Sequence, residues 1–406
     1  MIQKIVQESL EKCRPYFEKF DEISLFNQNK VISALQNNQV ALRHFEGTSG
    51  YGNDDAGRDT LCKVFADVFG TESAIVSPLI TSGTHAITVA LFGILRPGDV
   101  VLSVTGEPYD TLCDVIHKEG IGSLKDFGVC FNCIDFVHDE QFDFDAIAAF
   151  LHEHKTKMVY LQRSRGYSNR LALSIDQIQA VVAFVKEKSP DTIVFCDNCY
   201  GEFVETREPT EVGVDVCAGS LIKNIGGGVA PTGGYVVGRT DLIDLIGGRL
   251  TAPSIGMDVG SYAYGYRLFY QGLFAAPHTV NQALKTAALF SCALSDLGYD
   301  VLPKLGQHFG DIVCSIRLGD EEKIIEFCKA VQAAAPIDGF VSPEPWSMPG
   351  YNDKVIMAAG CFVQGASIEL SCDAPIRPPY VVYLQGGLTL EHGILTLNSV
   401  LGRLKG

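Results

Sequence analysis

Short apolar runs alternate with helical patterns over the middle of the chain. Seven runs rich in β-branched residues lie between residues 73 and 238, and they read SAIVSP, DVVLSV, CFNCIDF, KMVYLQ, TIVFCD, DVCAGSL and GGYVVG. Strands that alternate with helices form βαβ units with right-handed crossovers. We therefore predict an α/β domain with a mainly parallel seven-stranded sheet and helices on both of its faces.

The segments on either side of this region have different patterns. Residues 1 to about 45 have a helical pattern, and the segment EGTSGYGNDDAGRD that follows is rich in Gly, Asp and Asn, which favour turns. After Gly248, an aromatic and Gly-rich segment predicts a connection and an interface. A helical stretch beyond Val280, short strands and a final amphipathic helix predict a smaller C-terminal α+β lobe.

These changes in pattern divide the 406 residues into three parts. We predict an N-terminal helical segment over 1–50, a large domain over 51–270 and a small domain over 271–406. A cleft between two lobes is a common place for an active site. Ligands of open α/β sheets also bind beyond the carboxyl ends of the strands. Polar residues just after the predicted strands are therefore the candidates for chemistry.

Charge and composition narrow the classes of partner. The formal net charge of −16 disfavours nucleic acid and anionic membrane surfaces as partners. The longest apolar stretch, Ile87 to Leu95, is far shorter than the roughly 20 residues that span a bilayer. The first residues lack the pattern of a secretory signal. Thirteen scattered cysteines without such a signal suit a reducing compartment, so we predict a cytoplasmic protein.

Two CxxC spacings raise the question of a metal or redox site. Cys130 and Cys133 form one pair, and Cys196 and Cys199 form the other. Both pairs lie in or at the end of strand-like runs, whereas structural zinc ligands usually lie on turns with a characteristic spacing between the pairs. We predict no metal site.

A phosphate site is predicted where the first strand ends. The residues Ser82, Gly83 and Thr84 follow SAIVSP and begin a helical pattern. The N-terminus of a helix presents free N–H groups to an anion, a glycine permits close approach and hydroxyl groups add donors. The alternative is an ordinary helix N-cap made by one of the hydroxyl groups.

Three further residues follow later strands. Asp197 ends TIVFCD, and a carboxylate there can keep a cofactor's ring nitrogen protonated, although an Asx-turn is the alternative. Lys223 precedes a Gly-rich turn and can react with a carbonyl cofactor, with Ser220 donating to its phosphate; the alternative is a surface lysine. Tyr109 can stack on a planar cofactor, or it can be ordinary packing.

These elements occur together in one known arrangement. The order of SGT at a helix start, Tyr109, Asp197 and S-x-x-K resembles the fold-type I enzymes that depend on pyridoxal phosphate (PLP). The segments GYGNDDAGRDTL, SPLITSGTHA, YLQRSRGYSNR, CDNCYGEF and SLIKNIGGGVAPTGGY are similar to the bacterial aluminium-resistance proteins. These are also described as methionine gamma-lyase-like, within the group of Cys/Met-metabolism enzymes. The resemblance covers nearly the whole chain.

The resemblance implies roles for the residues of the cofactor site. Lys223 would hold PLP as a Schiff base, Asp197 would pair with the pyridine nitrogen and Tyr109 would stack on the ring. The residues implied to cradle the phosphate are Ser82, Gly83, Thr84 and Ser220.

Substrate binding is implied at two further positions. Tyr51 is similar in placement to a tyrosine that related enzymes contribute across a dimer interface, but the usual Tyr-Ser-Arg pattern is missing here. An arginine holds a carboxylate well because it binds both oxygens. Arg377 resembles the carboxylate-binding arginine of related enzymes, with Arg165 and Arg267 as competing candidates.

The resemblance implies a PLP-dependent carbon–sulfur lyase that acts on a sulfur-containing amino acid. Its reaction would be an elimination like that of methionine gamma-lyase or cystathionine beta-lyase. The same residues also support an aldolase or an aminotransferase, and a PLP-binding protein with low turnover is an alternative from another class. The expected assembly is a homodimer or homotetramer.

Overall fold

The computed structural model describes residues 2–137, 141–348 and 350–404. Two sheets organise these residues, one in each of two lobes. The helices are α1 (Ile2–Asn37), α2 (Ala56–Val68), α3 (Gly83–Ile94), α4 (Asp110–His117), α5 (Phe144–Glu153), α6 (Ile175–Lys188), α7 (Thr240–Leu250), α8 (Arg267–Asp296), α9 (Glu321–Ala333) and α10 (Leu390–Leu404). The strands of the large sheet are β1 (Ser73–Ser77), β2 (Val100–Ser103), β3 (Cys130–Cys133), β4 (Thr156–Gln162), β5 (Ile193–Asp197), β6 (Val216–Ser220) and β7 (Gly234–Gly238).

The large sheet contains the seven strands that the sequence predicts. Their order is β1-β7-β6-β5-β4-β2-β3. The strands from β2 to β6 run parallel, and β7 lies antiparallel to both of its neighbours, β1 and β6. The predicted α/β fold with a mainly parallel sheet of seven strands is confirmed, and the reversed strand β7 makes the sheet mixed.

Both faces of this sheet are buried under helices. Along β4, Met158 and Tyr160 pack on one face while Val159 and Leu161 pack on the other. Helices α3, α4 and α7 cover the first face, and α1, α2, α5, α6 and α8 supply apolar side chains to the second. A parallel sheet needs cover on both faces, which is why its strands read as continuous apolar runs instead of alternating ones.

The smaller lobe is an antiparallel sheet with two helices. Its strands are β8 (Asp300–Leu302), β9 (Val313–Arg317), β10 (Trp346–Ser347), β11 (Lys354–Ala358), β12 (Ser371–Pro375) and β13 (Val381–Gln385). They pair in the order β10-β11-β12-β13-β9-β8. Helix α9 packs on this sheet, and α10 packs on α9 and α8. The predicted α+β lobe at the C-terminus is therefore confirmed.

Helix α8 begins much earlier than the sequence pattern suggests. The pattern placed a helix beyond Val280, but the helix starts at Arg267 and continues through Pro277. Gly272 explains part of the difference, because a Cβ atom there would lie 2.4 Å from the carbonyl oxygen of Gly226. This glycine serves close packing and not a turn. The domain limits at 50 and 270 stay predictions.

None of the helices in the described parts of the chain combines the length and the apolar character that crossing a membrane requires.

The chain also has a long amphipathic first helix, α1, which packs along α8. Through this contact, the N-terminal segment covers the second face of the large domain.

Candidate active site

A cavity of about 250 Å³ lies where the carboxyl ends of the large sheet meet the small lobe. Its wall on the large-domain side includes Asp197, the last residue of β5, and Lys223, which follows β6. Its wall on the other side includes Asp373 and Tyr383 of the small sheet. The carboxyl ends of parallel strands meet at one edge of a sheet, so residues that are distant in sequence converge here.

The described residues that line this cavity include one lysine, Lys223. Its Nζ atom lies 4.0 Å from the centre of the Tyr200 ring. Burial lowers the pKa of Lys223, but the acidic groups that face it, Cys199, Tyr200 and Asp197 among them, raise that pKa by more, so the net shift is upward. Lys223 therefore holds a positive charge close to the carboxylate of Asp197.

Asp197 ends strand β5 and is buried in the same cavity. Its Oδ1 atom accepts a hydrogen bond of 3.1 Å from the backbone N–H of Cys199. Burial raises the pKa of Asp197, and the charge of Lys223 together with the Cys199 N–H opposes that rise. This carboxylate can hold a positively charged ring nitrogen, because an opposite charge at close range favours the ionised form of both groups.

The predicted phosphate residues come together at the start of α3. Ser82 is the N-cap of this helix, and its Oγ accepts a hydrogen bond of 3.1 Å from the N–H of His85. At Gly83, a Cβ atom would lie 3.1 Å from Cys199 Sγ and 3.4 Å from Ser220 Cβ. The start of α3 thus faces the loop after β5 and the last residue of β6. A helix N-terminus with a glycine in its first turn is suited to a phosphate group.

Tyr109 links this helix start to the rest of the cavity. Its hydroxyl group lies 3.0 Å from Thr84 Oγ1, and its backbone N–H donates a hydrogen bond of 3.0 Å to Gln162 Oε1. Burial raises the pKa of Tyr109, with a further contribution from the charge of Asp197. The phenol therefore stays neutral at physiological pH, and its ring lies where a planar ligand between Thr84 and Asp197 would contact it.

The profile of the methionine gamma-lyase family matches residues 2–405. The chain belongs to this family. The protein YnbB of Bacillus subtilis, whose function is uncharacterized, is 50% identical over 378 residues, which are 92% of this chain and 90% of that protein. A solved structure named as a carbon-sulfur lyase involved in aluminum resistance, from Clostridium novyi NT, is 48% identical with a TM-score of 0.96. The match covers 99% of this chain and 96% of that one.

A more distant solved structure shares the fold alone. The pyridoxal-5'-phosphate dependent protein YhfS of Escherichia coli is 17% identical, with a TM-score of 0.65, over 94% of this chain and 97% of that one. The resemblance inferred from the sequence is thus confirmed at the level of the family and of the fold.

In this member of the methionine gamma-lyase family, the residues predicted for substrate binding lie outside the described lining of the cavity. The side chain of Tyr51 is 77% exposed. Arg377 pairs with Asp353 at 2.9 Å and is 45% exposed. Their predicted roles toward the substrate stay predictions.

The two competing arginines have contacts that explain their positions. Arg165 is buried, and it donates a hydrogen bond of 2.9 Å to the carbonyl oxygen of Leu302 and pairs with Asp311 at 3.7 Å. It joins the loop after β4 to the small lobe. Arg267 begins α8 and lies over the ring of Phe45, 5.5 Å from its centre.

The structure adds Tyr200 to the residues of this site. Tyr200 has a φ of +71°, which is uncommon for a residue other than glycine. The side chain of Asn224 donates hydrogen bonds to the carbonyl oxygens of Tyr200 and Glu202, at 2.9 and 3.0 Å. Asn224 follows Lys223 directly, so the loop that carries the lysine also fixes the ring beneath it. Strained backbone of this kind persists where surrounding contacts hold it.

The cavity is also lined by residues that the sequence patterns do not predict. They are Gln162, Tyr167, Cys199, Tyr351, Asp373, Tyr383 and Gln385. The rule for strand ends could have identified Gln162, which is the last residue of β4. The residues of the small lobe had no such signal. Among the described residues, no group of three or more His, Cys, Asp or Glu side chains is arranged to hold a metal ion.

Proposed function

We propose that this chain is a PLP-dependent carbon–sulfur lyase that acts on a sulfur-containing amino acid. The observation that carries the proposal is the meeting of Lys223, Asp197 and Tyr109 in one cavity beside the N-terminus of α3. The chain's membership of the methionine gamma-lyase family supports it. So does the name of the Clostridium novyi structure, carbon-sulfur lyase.

The residues of the cavity fit PLP. Lys223 can bind the cofactor's aldehyde carbon, Asp197 can pair with its ring nitrogen and Tyr109 can lie against its ring. The first turn of α3 can bind its phosphate through free N–H groups and the hydroxyl group of Thr84, which lines the cavity. When bound, this cofactor supplies an electron sink for the negative charge that develops at the substrate's Cα.

The chain's own residues move the proton and hold the charges. In its neutral amine form, the Nζ of Lys223, which lies over the Tyr200 ring, can take the proton from Cα. Asp197 keeps the opposite charge in place, and burial keeps the phenol of Tyr109 neutral. A thiolate then leaves from Cβ, or it leaves from Cγ once a second proton has been removed from Cβ. The thiolate takes up a proton, and uptake of one water gives a 2-keto acid, ammonia and a thiol.

A substrate panel tests this proposal. Purified protein is incubated separately with methionine, cystathionine, cysteine and threonine, and with an amino acid plus a keto acid. We expect a 2-keto acid, ammonia and a thiol or sulfide in equal amounts from at least one sulfur substrate. Glycine and acetaldehyde from threonine would identify an aldolase, and amino exchange without ammonia an aminotransferase. Binding without any turnover would favour a PLP-binding protein.

Matched variants test the site residues. Lys223→Ala should abolish the absorbance of the bound cofactor in the near-violet and all turnover, while Lys63→Ala, on the exposed side of α2, should change neither. Asp197→Asn should keep the cofactor but lose about a hundredfold or more in turnover, because a neutral amide cannot stabilise a ring cation. Borohydride reduction that attached the cofactor to another lysine would contradict the assignment.

A further inference from the structure

The charges around the cavity are unbalanced. Among the described residues that line it, Asp110, Asp197 and Asp373 are acidic and Lys223 is basic, and there is no arginine or histidine. Asp197 faces the lysine and serves the cofactor under the proposed function. Asp373 lies on the opposite wall, on strand β12. Burial raises the pKa of Asp373, and the charge of Lys223 opposes that rise, but Lys223 serves the cofactor under the proposed function. Asp373 therefore has no basic partner of its own in the described lining.

The carboxylate of Asp373 is held by two neutral donors. The hydroxyl group of Tyr167 donates a hydrogen bond of 2.6 Å to Oδ2, and Nε2 of Gln385 donates one of 2.9 Å to Oδ1. Each carboxylate oxygen can accept at least one more hydrogen bond. These contacts fix the direction of the carboxylate, but they supply no positive charge. No ion pair within 4.0 Å is formed by Asp373 with any described residue.

A cluster of three tyrosines includes Tyr167, which donates to this carboxylate, and Tyr383, which pairs with Asp373 across the sheet. The ring of Tyr167 lies 4.9 Å from that of Tyr383 and 6.0 Å from that of Tyr351, measured between centres. The hydroxyl group of Tyr383 donates a hydrogen bond of 2.7 Å to the carbonyl oxygen of Tyr167 and so fixes the cluster. A cation that binds Asp373 over the face of one of these rings would gain attraction from the ring as well as from the carboxylate.

We propose that Asp373, Tyr167, Tyr351 and Tyr383 form a subsite for a positively charged group at the far end of the substrate. This inference rests on the proposed function and names its substrate class, a thioether amino acid with a second ammonium group. Such a group would donate a charge-assisted hydrogen bond to Asp373. A neutral thioether would remove water from the carboxylate without replacing that hydrogen bond, which costs binding free energy.

Two substrates of equal size test the charge. S-(2-aminoethyl)-L-cysteine and S-propyl-L-cysteine differ in one terminal group, an ammonium in place of a methyl. Elimination breaks the Cα–H and Cβ–S bonds, and with one water it gives pyruvate, ammonia and the thiol. The homocysteine pair is used in parallel, in case the leaving group departs from Cγ. We expect the wild type to have a kcat/KM at least about tenfold higher for the aminoethyl compound, which is ~1.4 kcal/mol.

A single substitution separates recognition from structure. Asp373→Asn keeps the size of the side chain, and it should lower kcat/KM for the aminoethyl substrate about tenfold or more, mainly through KM. Its kcat/KM for the propyl substrate should stay within about threefold. Tyr351→Leu removes one ring without breaking a hydrogen bond to Asp373. It should lower the preference for the aminoethyl over the propyl substrate by less than Asp373→Asn does. Asp244→Asn, an exposed change on α7, is the matched control and should keep the wild-type preference.

Three results would overturn the inference. The wild type could treat the two compounds alike, the propyl compound could be preferred, or Asp373→Asn could weaken both substrates equally, as a purely structural role predicts. Dissociation constants of the same compounds, measured by calorimetry on the holoenzyme, keep the test independent of turnover. If the wild type binds both and cleaves neither, the lyase proposal fails while the ratio of the two constants still decides the subsite.

Discussion

Glu202 offers a test of the structure through the pH dependence of stability. This residue is fully buried. The hydroxyl group of Tyr235 donates a hydrogen bond of 2.8 Å to its Oε1. Its Oε2 is buried without a hydrogen-bond partner among the described residues. Burial raises the pKa of Glu202 to about 8, and the bond from Tyr235 offsets only part of that rise.

The sign of the effect follows from the two protonation states. The folded protein keeps a proton on Glu202 between pH 4.5 and about 8, whereas the unfolded chain has already lost it. Stability therefore falls as pH rises through this window. Each tenfold change in proton affinity is worth ~1.4 kcal/mol, so the titration of Glu202 lowers the free energy of unfolding by at most roughly 5 kcal/mol. Between pH 5 and pH 7, the expected fall in this free energy is ~2–3 kcal/mol.

Glu202→Gln removes the titration and keeps the acceptor for Tyr235. Between pH 5 and pH 7, we expect the free energy of unfolding of the variant to fall by ~2–3 kcal/mol less than that of the wild type. Urea unfolding of the holoenzyme at each pH measures this difference. The quantity to compare is the slope of the free energy of unfolding against pH. Its absolute value differs for another reason, because the new amide N–H₂ also lacks a partner and costs stability at every pH. Glu22→Gln, on the exposed face of α1, should keep the wild-type slope. Parallel curves for Glu202→Gln and wild type would refute the reasoning.

Two further predictions concern the phosphate residues at the start of α3 and the assembly of the protein. Gly83→Ala should raise the dissociation constant of PLP about tenfold, ~1.4 kcal/mol, because the new Cβ would lie 3.1 Å from Cys199 Sγ; equilibrium dialysis measures this. Gly402→Ala, which meets nothing within 4 Å, is its control, and equal affinities would reject a phosphate role for Gly83. The protein should form a homodimer or homotetramer, since Tyr51 and Tyr264 are 77% and 90% exposed; light scattering that shows an active monomer would contradict this.

The large domain could be predicted because its chemistry follows its strands. Each run of β-branched residues is one strand of the sheet. The rule that ligands bind beyond the carboxyl ends of strands predicts Asp197 and Lys223 as site residues, and both line the cavity. The same rule could have identified Gln162. The direction of β7 could not be predicted, because an apolar run buried on both faces reads alike whether its neighbours run parallel or antiparallel.

The small-lobe wall of the cavity could not be predicted from local pattern. Asp373 lies in a strand of mixed character, and Tyr351 lies in an irregular segment between β10 and β11. Nothing in either segment indicates a ligand, because their partners, Tyr167 among them, come from the other lobe. Arg377, which resembles an arginine of related enzymes, lies four residues after Asp373 and pairs with Asp353, and its role toward a substrate stays a prediction.

The Gly-rich segment behind Lys223 has a different physical role from the flexible turn that its composition suggests. A Cβ atom at Gly227 would lie 2.4 Å from the carbonyl oxygen of Gly272, and one at Gly272 would lie 2.4 Å from that of Gly226. The two backbones therefore pack directly against each other, with α8 as the rigid support. Asn224 ties the same segment to the strained loop at Tyr200. Because the segment that follows the lysine is held from both sides, the Nζ of Lys223 has a fixed support over the Tyr200 ring.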